Sequence, residues 1–252
     1  MNANRKKQVV LLLLVVVIAG LMAVMAGGAA AQNGPPNPPV LPPHSSAFGM
    51  TYEEWAAKFW QWAASVPAGD EHPLFADGEM DCSVGQEGKV WFLGGTYSES
   101  GIADRTCEVP TGKALFFPIV NVLCSPFTGD DPDTLIQCAS DPPAPPFKVV
   151  LAPIEATIDG VIFDQETLEN YYTLSKEPFT LGPLPENNIF SAEKDATGPG
   201  ATGGYYLLLP PLSKGKHDIS FIGEIQFFDA EGNYLFTVFH TEISYSLTVV
   251  GR

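Results

Sequence analysis

The most regular pattern of apolar and polar positions lies at the C-terminal end of the chain. Most odd positions from 235 to 249 are apolar, whereas the even positions from 242 to 248 are polar. A repeat of two residues is typical of a strand that buries one face in an antiparallel sheet. The run covers residues 234–250 and is longer than most strands, so we predict a bend or bulge near Thr241.

Shorter apolar runs recur along the chain after Pro67, separated by turn residues. Asp159 and Gly160 form a hairpin signal between two such runs, because an Asp-Gly pair adopts the backbone angles of a tight two-residue turn. Roughly nine to eleven strands result, which predicts an antiparallel β-sandwich, immunoglobulin-like or jelly-roll-like, as one domain over residues 48–252. The other predicted strands are 89–93, 114–122, 147–151, 155–158, 161–163, 205–209 and 218–228.

A helical pattern precedes these strands at residues 52–65. Thr51 and Glu54 have the spacing of a capping box, in which each side chain bonds the other residue's backbone N–H. The helix carries three tryptophans and is apolar on more than one face, so we predict that it packs against the sandwich. In a second interpretation the indole rings are exposed and stack on sugars. The candidate glycan-binding residues are then Trp55, Trp60 and Trp62.

The first 31 residues have the layout of a secretory signal peptide. Arg5, Lys6 and Lys7 precede an apolar stretch at residues 9–26, and an A-x-A cleavage site ends at Ala31. An uncleaved anchor is the alternative, because a helix of that length spans roughly 27 Å, near the lower limit for a bilayer. Cleavage predicts an exported protein, extracellular or periplasmic, without a stable membrane span.

Residues 32–47 form a proline-rich leader, which we expect to be extended and disordered. The whole chain has 13 Lys and Arg against 29 Asp and Glu, a formal charge of −16. Such an acidic chain lacks the basic face that nucleic-acid binding requires, so we exclude a nucleic-acid partner. The hydrophobic content of 45% excludes a chain that is disordered throughout.

Four cysteines become available for pairing once the protein is exported. An even number of cysteines in an oxidising compartment predicts two disulfides, for which three connectivities exist. We predict sequential pairing, because each pair then brackets a segment rich in turn residues. The predicted bonds are Cys82–Cys107 and Cys124–Cys138. Four free thiols are the alternative, and the lack of a C-x-x-C pair argues against a zinc site.

His240 and Glu242 are two residues apart and therefore project from the same face of the last predicted strand. With His217 or Glu224 they could bind a divalent metal or act as acid and base. The alternative is an ordinary solvated strand face. The chain has no G-x-S-x-G, H-E-x-x-H or Walker A motif. We therefore favour a protein without catalytic activity.

Two acidic clusters offer oxygen ligands of the kind that Ca²⁺ prefers. One lies at residues 77–81, and the other contains Asp130, Asp131 and Asp133. Neither has the spacing of an EF-hand loop, and solvated turn residues are the alternative interpretation. Beyond this candidate calcium site the sequence predicts no cofactor.

Three motifs resemble a group of uncharacterised secreted proteins of bacteria and archaea. They are the W-x4-W-x-W spacing at residues 55–62, C-S-V-G-Q-E-G-K-V-W-F-L from Cys82, and R-T-C-E-V-P-T-G-K-A-L-F-F-P from Arg105. The resemblance covers most of the chain after residue 31 and implies export and this cysteine pattern. The chain also resembles immunoglobulin-like sandwich domains in general. No activity follows, because a shared fold does not determine function.

Together these observations predict an acidic, disulfide-stabilised, exported protein, with no oligomeric state specified. The leading hypothesis is a non-catalytic binding or surface-associated protein whose partner is a glycan or another protein. The second hypothesis is a secreted carbohydrate-active hydrolase or lyase on a jelly-roll scaffold. It requires His240, Glu242 and a tryptophan on one concave face. The third is a structural subunit of an extracellular assembly.

Overall fold

Two stacked β-sheets and a helix that covers one of them form the described part of the protein. The computed structural model describes residues 40–43, 45–140 and 148–251, which belong to the compact unit Asn37–Arg252. The predicted signal peptide and most of the proline-rich leader lie outside the described residues. The predicted sandwich with an N-terminal tryptophan-rich helix is confirmed.

The described residues form eleven strands, three α-helices and three short 3-10 turns. The helices are α1 (Tyr52–Ser65), α2 (Leu135–Ser140) and α3 (Gln165–Leu168), and the 3-10 turns are Ala47–Gly49, Pro126–Thr128 and Glu169–Tyr171. The strands are β1 (Gly78–Glu79), β2 (Val90–Phe92), β3 (Ile102–Pro110), β4 (Ala114–Cys124), β5 (Lys148–Ile158), β6 (Val161–Phe163), β7 (Tyr172–Leu174), β8 (Phe179–Leu181), β9 (Gly198–Leu209), β10 (Gly215–Phe228) and β11 (Tyr234–Val250).

The two sheets are mixed rather than purely antiparallel. The six-stranded sheet has the order β1-β3-β11-β10-β5-β6, and the five-stranded sheet has the order β2-β4-β9-β7 with β8 beside β9. The pairs β1–β3, β3–β11 and β2–β4 are parallel, and the other pairs are antiparallel. β2 and β4 run parallel because the chain crosses to the six-stranded sheet for β3 before it returns. The alternation of apolar and polar residues along a strand does not indicate whether it pairs in a parallel or an antiparallel orientation.

Two apolar layers hold the structure together. Between the sheets, Phe117 of β4 stacks on Phe221 of β10, with ring centroids 5.3 Å apart. On the outer side of the five-stranded sheet, α1 packs Phe59 against Phe92 and Tyr52 against Phe116. Burying each such ring stabilises the fold by about 1.5–3 kcal/mol. The molecule therefore has three layers, with the five-stranded sheet in the middle.

The helix α1 has the predicted bounds and the predicted capping box. The Thr51 backbone N–H donates to a Glu54 carboxylate oxygen at 2.7 Å, and the Glu54 backbone N–H donates to Thr51 Oγ1 at 3.4 Å. Both bonds satisfy N–H groups that the first helical turn leaves without partners. The cap thus fixes the start of the helix that covers the five-stranded sheet.

Bulges interrupt the long strands. In β11 the pairing with β10 skips Val238 and Leu235, so these residues are the extra residues of two bulges. The predicted irregularity near Thr241 therefore exists but lies three and six residues earlier in the chain. In β4 the pairing with β9 skips Ile119, directly after Pro118. Proline has no backbone N–H to donate, and bulges are places where a strand tolerates it.

Both predicted disulfides are confirmed. Cys82 bonds Cys107 of β3, with Cα atoms 5.7 Å apart, and Cys124 of β4 bonds Cys138 of α2, with Cα atoms 6.1 Å apart. Over the described ranges, no helix combines the length and the apolar character needed to cross a bilayer.

Candidate functional site

A cavity of about 190 Å³ opens where the five-stranded sheet loses one of its strands. β2 pairs with β4 only as far as Phe116, so the β4 segment 118–122 has no described strand on that side. After β2 the chain continues as a loop, and residues 95–97 of this loop form one wall. The other walls come from α1 and from Ile225 and Phe239 of the six-stranded sheet. We name this cavity the inter-sheet pocket.

The local sequence explains why the sheets separate here. Gly223 of β10 packs directly on β4, and a Cβ atom at this position would lie 2.6 Å from Val120 Cβ. The sheets therefore approach each other closely at Gly223, and two residues later Ile225 lines the pocket. The bulge at Ile119 brings Ile119 and Val120 to the inner side in succession. Because bulges bend a strand, β4 curves around the pocket.

The pocket is apolar apart from a few hydrogen-bonding groups. Thr241 of β11 is 2% exposed, and its Oγ1 has no hydrogen-bond partner among the described residues. Asn121 instead uses its amide to donate to the Tyr206 hydroxyl at 2.9 Å. Tyr97 is the one ionisable residue among the described lining residues. Its ring is half exposed, but desolvation of its hydroxyl raises the pKa of Tyr97 to about 12, so it is neutral at physiological pH.

Arg105 holds the loop that forms one wall of the pocket. Its side chain is fully buried and donates to the carbonyls of Gly94 at 2.8 Å, Gly95 at 3.0 Å and Ala76 at 2.8 Å. It also donates to the Tyr245 hydroxyl at 2.6 Å and lies over that ring. Hydrogen bonds to a charged donor are stronger than neutral ones. Arg105 therefore fixes the position of the wall, and sequence reasoning did not identify this role.

The three tryptophans of α1 lie in the apolar layer between the helix and the five-stranded sheet. Their exposed fractions are 9% or less. Each indole N–H donates at 3.0 Å to a group of the protein: Trp55 to the Ala47 carbonyl, Trp60 to Thr202 Oγ1 and Trp62 to the Val84 carbonyl. Rings covered in this way do not offer a stacking face to sugars. Trp60 nevertheless contributes to the wall of the inter-sheet pocket.

His240 and Glu242 share the outer face of the six-stranded sheet, as the spacing predicts. His240 Nδ1 lies 3.2 Å from a Glu224 carboxylate oxygen, and His240 Nε2 lies 3.9 Å from Glu242. The Gln226 amide, followed by His240 and Thr237, lowers the pKa of Glu224. The two carboxylates face different nitrogens of the ring, and these three residues do not form a common metal-binding group. The cluster is an open surface network of hydrogen bonds.

His217 lies far from this network. It precedes Glu224 by seven residues on β10, a distance of about 23 Å along a strand. His217 is buried, with Nδ1 2.7 Å from an Asp159 carboxylate oxygen and Nε2 2.9 Å from the Ser213 carbonyl. Ser213 Oγ is 3.4 Å from Nε2, but that nitrogen already faces the closer carbonyl. The arrangement ties a loop to the β5–β6 hairpin and is not a nucleophilic triad.

The candidate calcium ligands do not converge. The Asp130 carboxylate accepts bonds from the Ser125 N–H and the Thr128 hydroxyl, and the Asp131 carboxylate accepts the Asp133 N–H. Among the described residues, the group with metal-binding proximity contains Asp130 with Cys124 and Cys138. Those two cysteines form a disulfide, so they do not serve as thiolate ligands.

One glycine-rich segment of the chain has a spacing typical of nucleotide-binding loops. Residues 198–203 follow the pattern G-x-G-x-x-G. That pattern binds phosphate only where it joins a strand to the N-terminus of a helix. Here it lies inside β9, which continues to Leu209, so it does not form a phosphate site.

Comparison with known proteins gives little information about function. No protein-family model and no curated protein sequence matches the chain. A cysteine protease inhibitor, EhICP2 from Entamoeba histolytica, is similar at 12% identity and a TM-score of 0.21. The similarity covers 64% of this chain and 96% of the inhibitor. A score this low supports no conclusion about function.

Proposed function

We propose that the protein is a non-catalytic, extracytoplasmic binding protein that holds a small molecule in the inter-sheet pocket. The observation that carries this proposal is the apolar cavity of about 190 Å³, whose lining includes Thr241, a residue with a buried hydroxyl that has no described partner. Buried polar groups are normally hydrogen-bonded, and leaving one unpaired costs about 1–3 kcal/mol. Concave apolar cavities with few polar groups are typical small-molecule sites.

The distribution of ionisable groups supports a role without catalysis. Tyr97 is neutral, and the described lining of the pocket contains no carboxylate, imidazole or lysine. The His240 network lies on the outer face of the six-stranded sheet, whereas the tryptophans lie beyond the five-stranded sheet. The carbohydrate-active hypothesis requires these groups on one concave face, so the geometry does not favour it.

Export remains a prediction from the first 31 residues. The two disulfides support it, because disulfides persist in oxidising compartments and are rare in the cytosol. An extracellular or periplasmic location would give the pocket access to molecules from outside the cell.

Titration with benzene, monitored by amide chemical shifts, tests the proposal. Benzene is a suitable probe because a dry cavity of roughly 150 Å³ in another protein accommodates it. We expect saturable shifts confined to the pocket walls in the wild type. Val120→Phe should fill the pocket and abolish them, whereas Val161→Phe on the exposed strand β6 should keep them. Shifts that do not saturate, or that persist in folded Val120→Phe, would contradict the proposal.

A further inference from the structure

A buried histidine lies beside one wall of the inter-sheet pocket. His72 is 1% exposed and belongs to the loop between α1 and β1. Its backbone carbonyl accepts the N–H groups of Phe75 at 2.8 Å and Ala76 at 2.9 Å, so the loop forms a compact turn at this residue. Leu74, inside that turn, lines the pocket. This part of the wall is therefore held by the turn that contains His72.

Both ring nitrogens of His72 have partners in the protein, and together these partners define one protonation state. The Leu74 N–H donates to Nδ1 at 3.0 Å, so Nδ1 carries no proton. Nε2 then carries the proton and donates to the Ala63 carbonyl of α1 at 3.0 Å. The neutral ring thus connects the helix to the Leu74 backbone. A doubly protonated ring has an N–H group on each nitrogen and cannot accept the Leu74 N–H.

The backbone beside His72 also holds the second part of the wall. The Leu74 carbonyl accepts the Tyr97 N–H at 2.9 Å, and Tyr97 lines the pocket. Gly94 packs directly on this turn, because a Cβ atom there would lie 2.7 Å from the Pro73 carbonyl oxygen. Protonation of His72 would set two N–H groups against each other. A shift of Leu74 that relieves this contact would also move Tyr97.

Among the described residues, no carboxylate forms an ion pair that would balance a positive charge on His72. The segment 59–65 of α1 has no ionisable side chain. The loop after β2 contributes Tyr97, which is neutral, and β3 contributes the Arg105 guanidinium. Burial, and to a smaller extent the Arg105 charge, lowers the pKa of His72. The ionisable residues of its own loop are exposed, and they are Asp70, Glu71 and Asp77. The closed wall therefore opposes protonation, whereas an open wall permits it.

We propose that protonation of His72 opens the wall of the inter-sheet pocket, so that the protein binds its ligand at neutral pH and releases it in mild acid. The neutral ring holds Leu74 and Tyr97 in place around the ligand. The imidazolium offers no acceptor to the Leu74 N–H, so this part of the wall moves away. The inference rests on the proposed binding function and specifies how that site is regulated.

Titration with benzene at pH 7.5 and pH 5.0 tests the inference at the pocket. We expect the wild type to bind about fivefold more weakly in acid, at the lower end of the usual range for coupling between two sites. His72→Gln removes the titrating group and should bind equally at the two pH values. The control His240→Gln removes a histidine on the outer face of the six-stranded sheet and should keep the fivefold loss. Equal wild-type affinities at the two pH values would overturn the inference.

A reciprocal measurement uses the wild type alone. If protonation of His72 weakens benzene binding, benzene must lower the pKa of His72 to the same extent, because coupling between two sites is mutual. The chemical shift of the His72 ring proton, followed against pH with and without saturating benzene, measures this change. We expect the pKa of His72 to be lower with benzene and that of His240 to stay constant. A pKa of His72 that benzene does not change would contradict the proposal.

Hydrogen exchange separates this inference from the proposed function, because it needs no probe molecule. At pH 5.0 we expect lower protection factors for the Leu74 and Tyr97 amides in the wild type than in His72→Gln. The Ala114 amide, which donates to the Lys89 carbonyl at the other end of β4, should be equally protected in both proteins. If Leu74 and Tyr97 keep their protection, the wall does not open and the inference is wrong even where benzene binds. If benzene does not bind at pH 7.5, the proposed function is wrong and ligand release is overturned with it.

Discussion

At the scale of single residues, the buried charge of Arg105 is balanced without a carboxylate. No described acidic residue forms an ion pair with it, and its partners are three backbone carbonyls and the Tyr245 hydroxyl. Replacing one partner of a buried charge is costly, because the other groups then lose both water and protein contacts. Arg105 is therefore a structural centre that connects β3, the loop at 94–95 and β11.

His72 is a second buried polar residue with a defined protonation state. Its Nδ1 accepts the Leu74 N–H at 3.0 Å, so Nε2 carries the proton and donates to the Ala63 carbonyl at 3.0 Å. Burial, with a smaller contribution from the Arg105 charge, lowers the pKa of His72 from its ordinary value of 6.5. The folded protein thus keeps the ring neutral.

This lowered pKa predicts a loss of stability in mild acid. Below pH 6.5 the unfolded chain binds a proton at His72 that the folded chain does not bind, so the free energy of unfolding decreases. Above pH 6.5 the contribution is fully present. We expect urea unfolding at pH 7.5 and 5.5 to show a larger decrease for the wild type than for His72→Gln. Equal decreases in the two proteins would contradict this assignment.

At the scale of elements, the capping box is the feature that positions α1. Thr51→Ala removes the side-chain bond to the Glu54 N–H, so we expect the free energy of unfolding to decrease by about 1 kcal/mol. Chemical denaturation measures this change. Lys58→Ala, at an exposed position of the same helix, should have almost no effect. A Thr51→Ala variant as stable as the wild type would show that packing alone fixes the helix start.

The sequence predicts elements with local signals better than it predicts how those elements pair. The bounds of α1 and β11 follow from the capping box and the alternation of polarity, both of which are local. The parallel pairing of β2 with β4 depends on the crossing to the other sheet, which no local pattern specifies. The shared face of His240 and Glu242 was predictable from their spacing, whereas Glu224 joins them through the pairing of β10 with β11.

The inter-sheet pocket itself was not predictable in this way. It exists because β2 ends early and β4 bulges after Pro118, and both facts concern the arrangement of neighbouring strands. The one local signal was Thr241, a polar residue within an apolar row. Whether such a residue lines a cavity depends on which residues of the facing sheet lie next to it, and the alternation pattern does not specify them. The burial of the tryptophans likewise depends on the sheet beneath them.

At the scale of the whole molecule, the two disulfides each connect a strand to a segment outside the sheets. One joins the segment after β1 to β3, and the other joins the end of β4 to α2. They close segments with sequence separations of 25 and 14 residues. In the chain-entropy account, closing loops of this size stabilises the fold by about 3 kcal/mol each, through restriction of the unfolded chain.

Mass spectrometry of the purified protein without reductant tests these bonds. We expect a mass lower than that of the all-thiol chain by two hydrogens for each disulfide. Reduction should restore those hydrogens and lower the melting midpoint, because the unfolded chain gains freedom. A mass equal to the all-thiol value before reduction would contradict the pairing. Peptide mapping then distinguishes the sequential connectivity from the other two.

The bulges of β11 also bear on how the protein avoids aggregation. β3 pairs with β11 only from Glu242 onward, so residues 234–241 have an edge with no described strand beside it. Exposed apolar side chains lie along this edge, including Leu235 and Val238. Such an edge is a template for fibril growth when it is straight, because an incoming strand can then form an unbroken ladder. Here the bulges fall at Leu235 and Val238 and break that ladder twice within four residues.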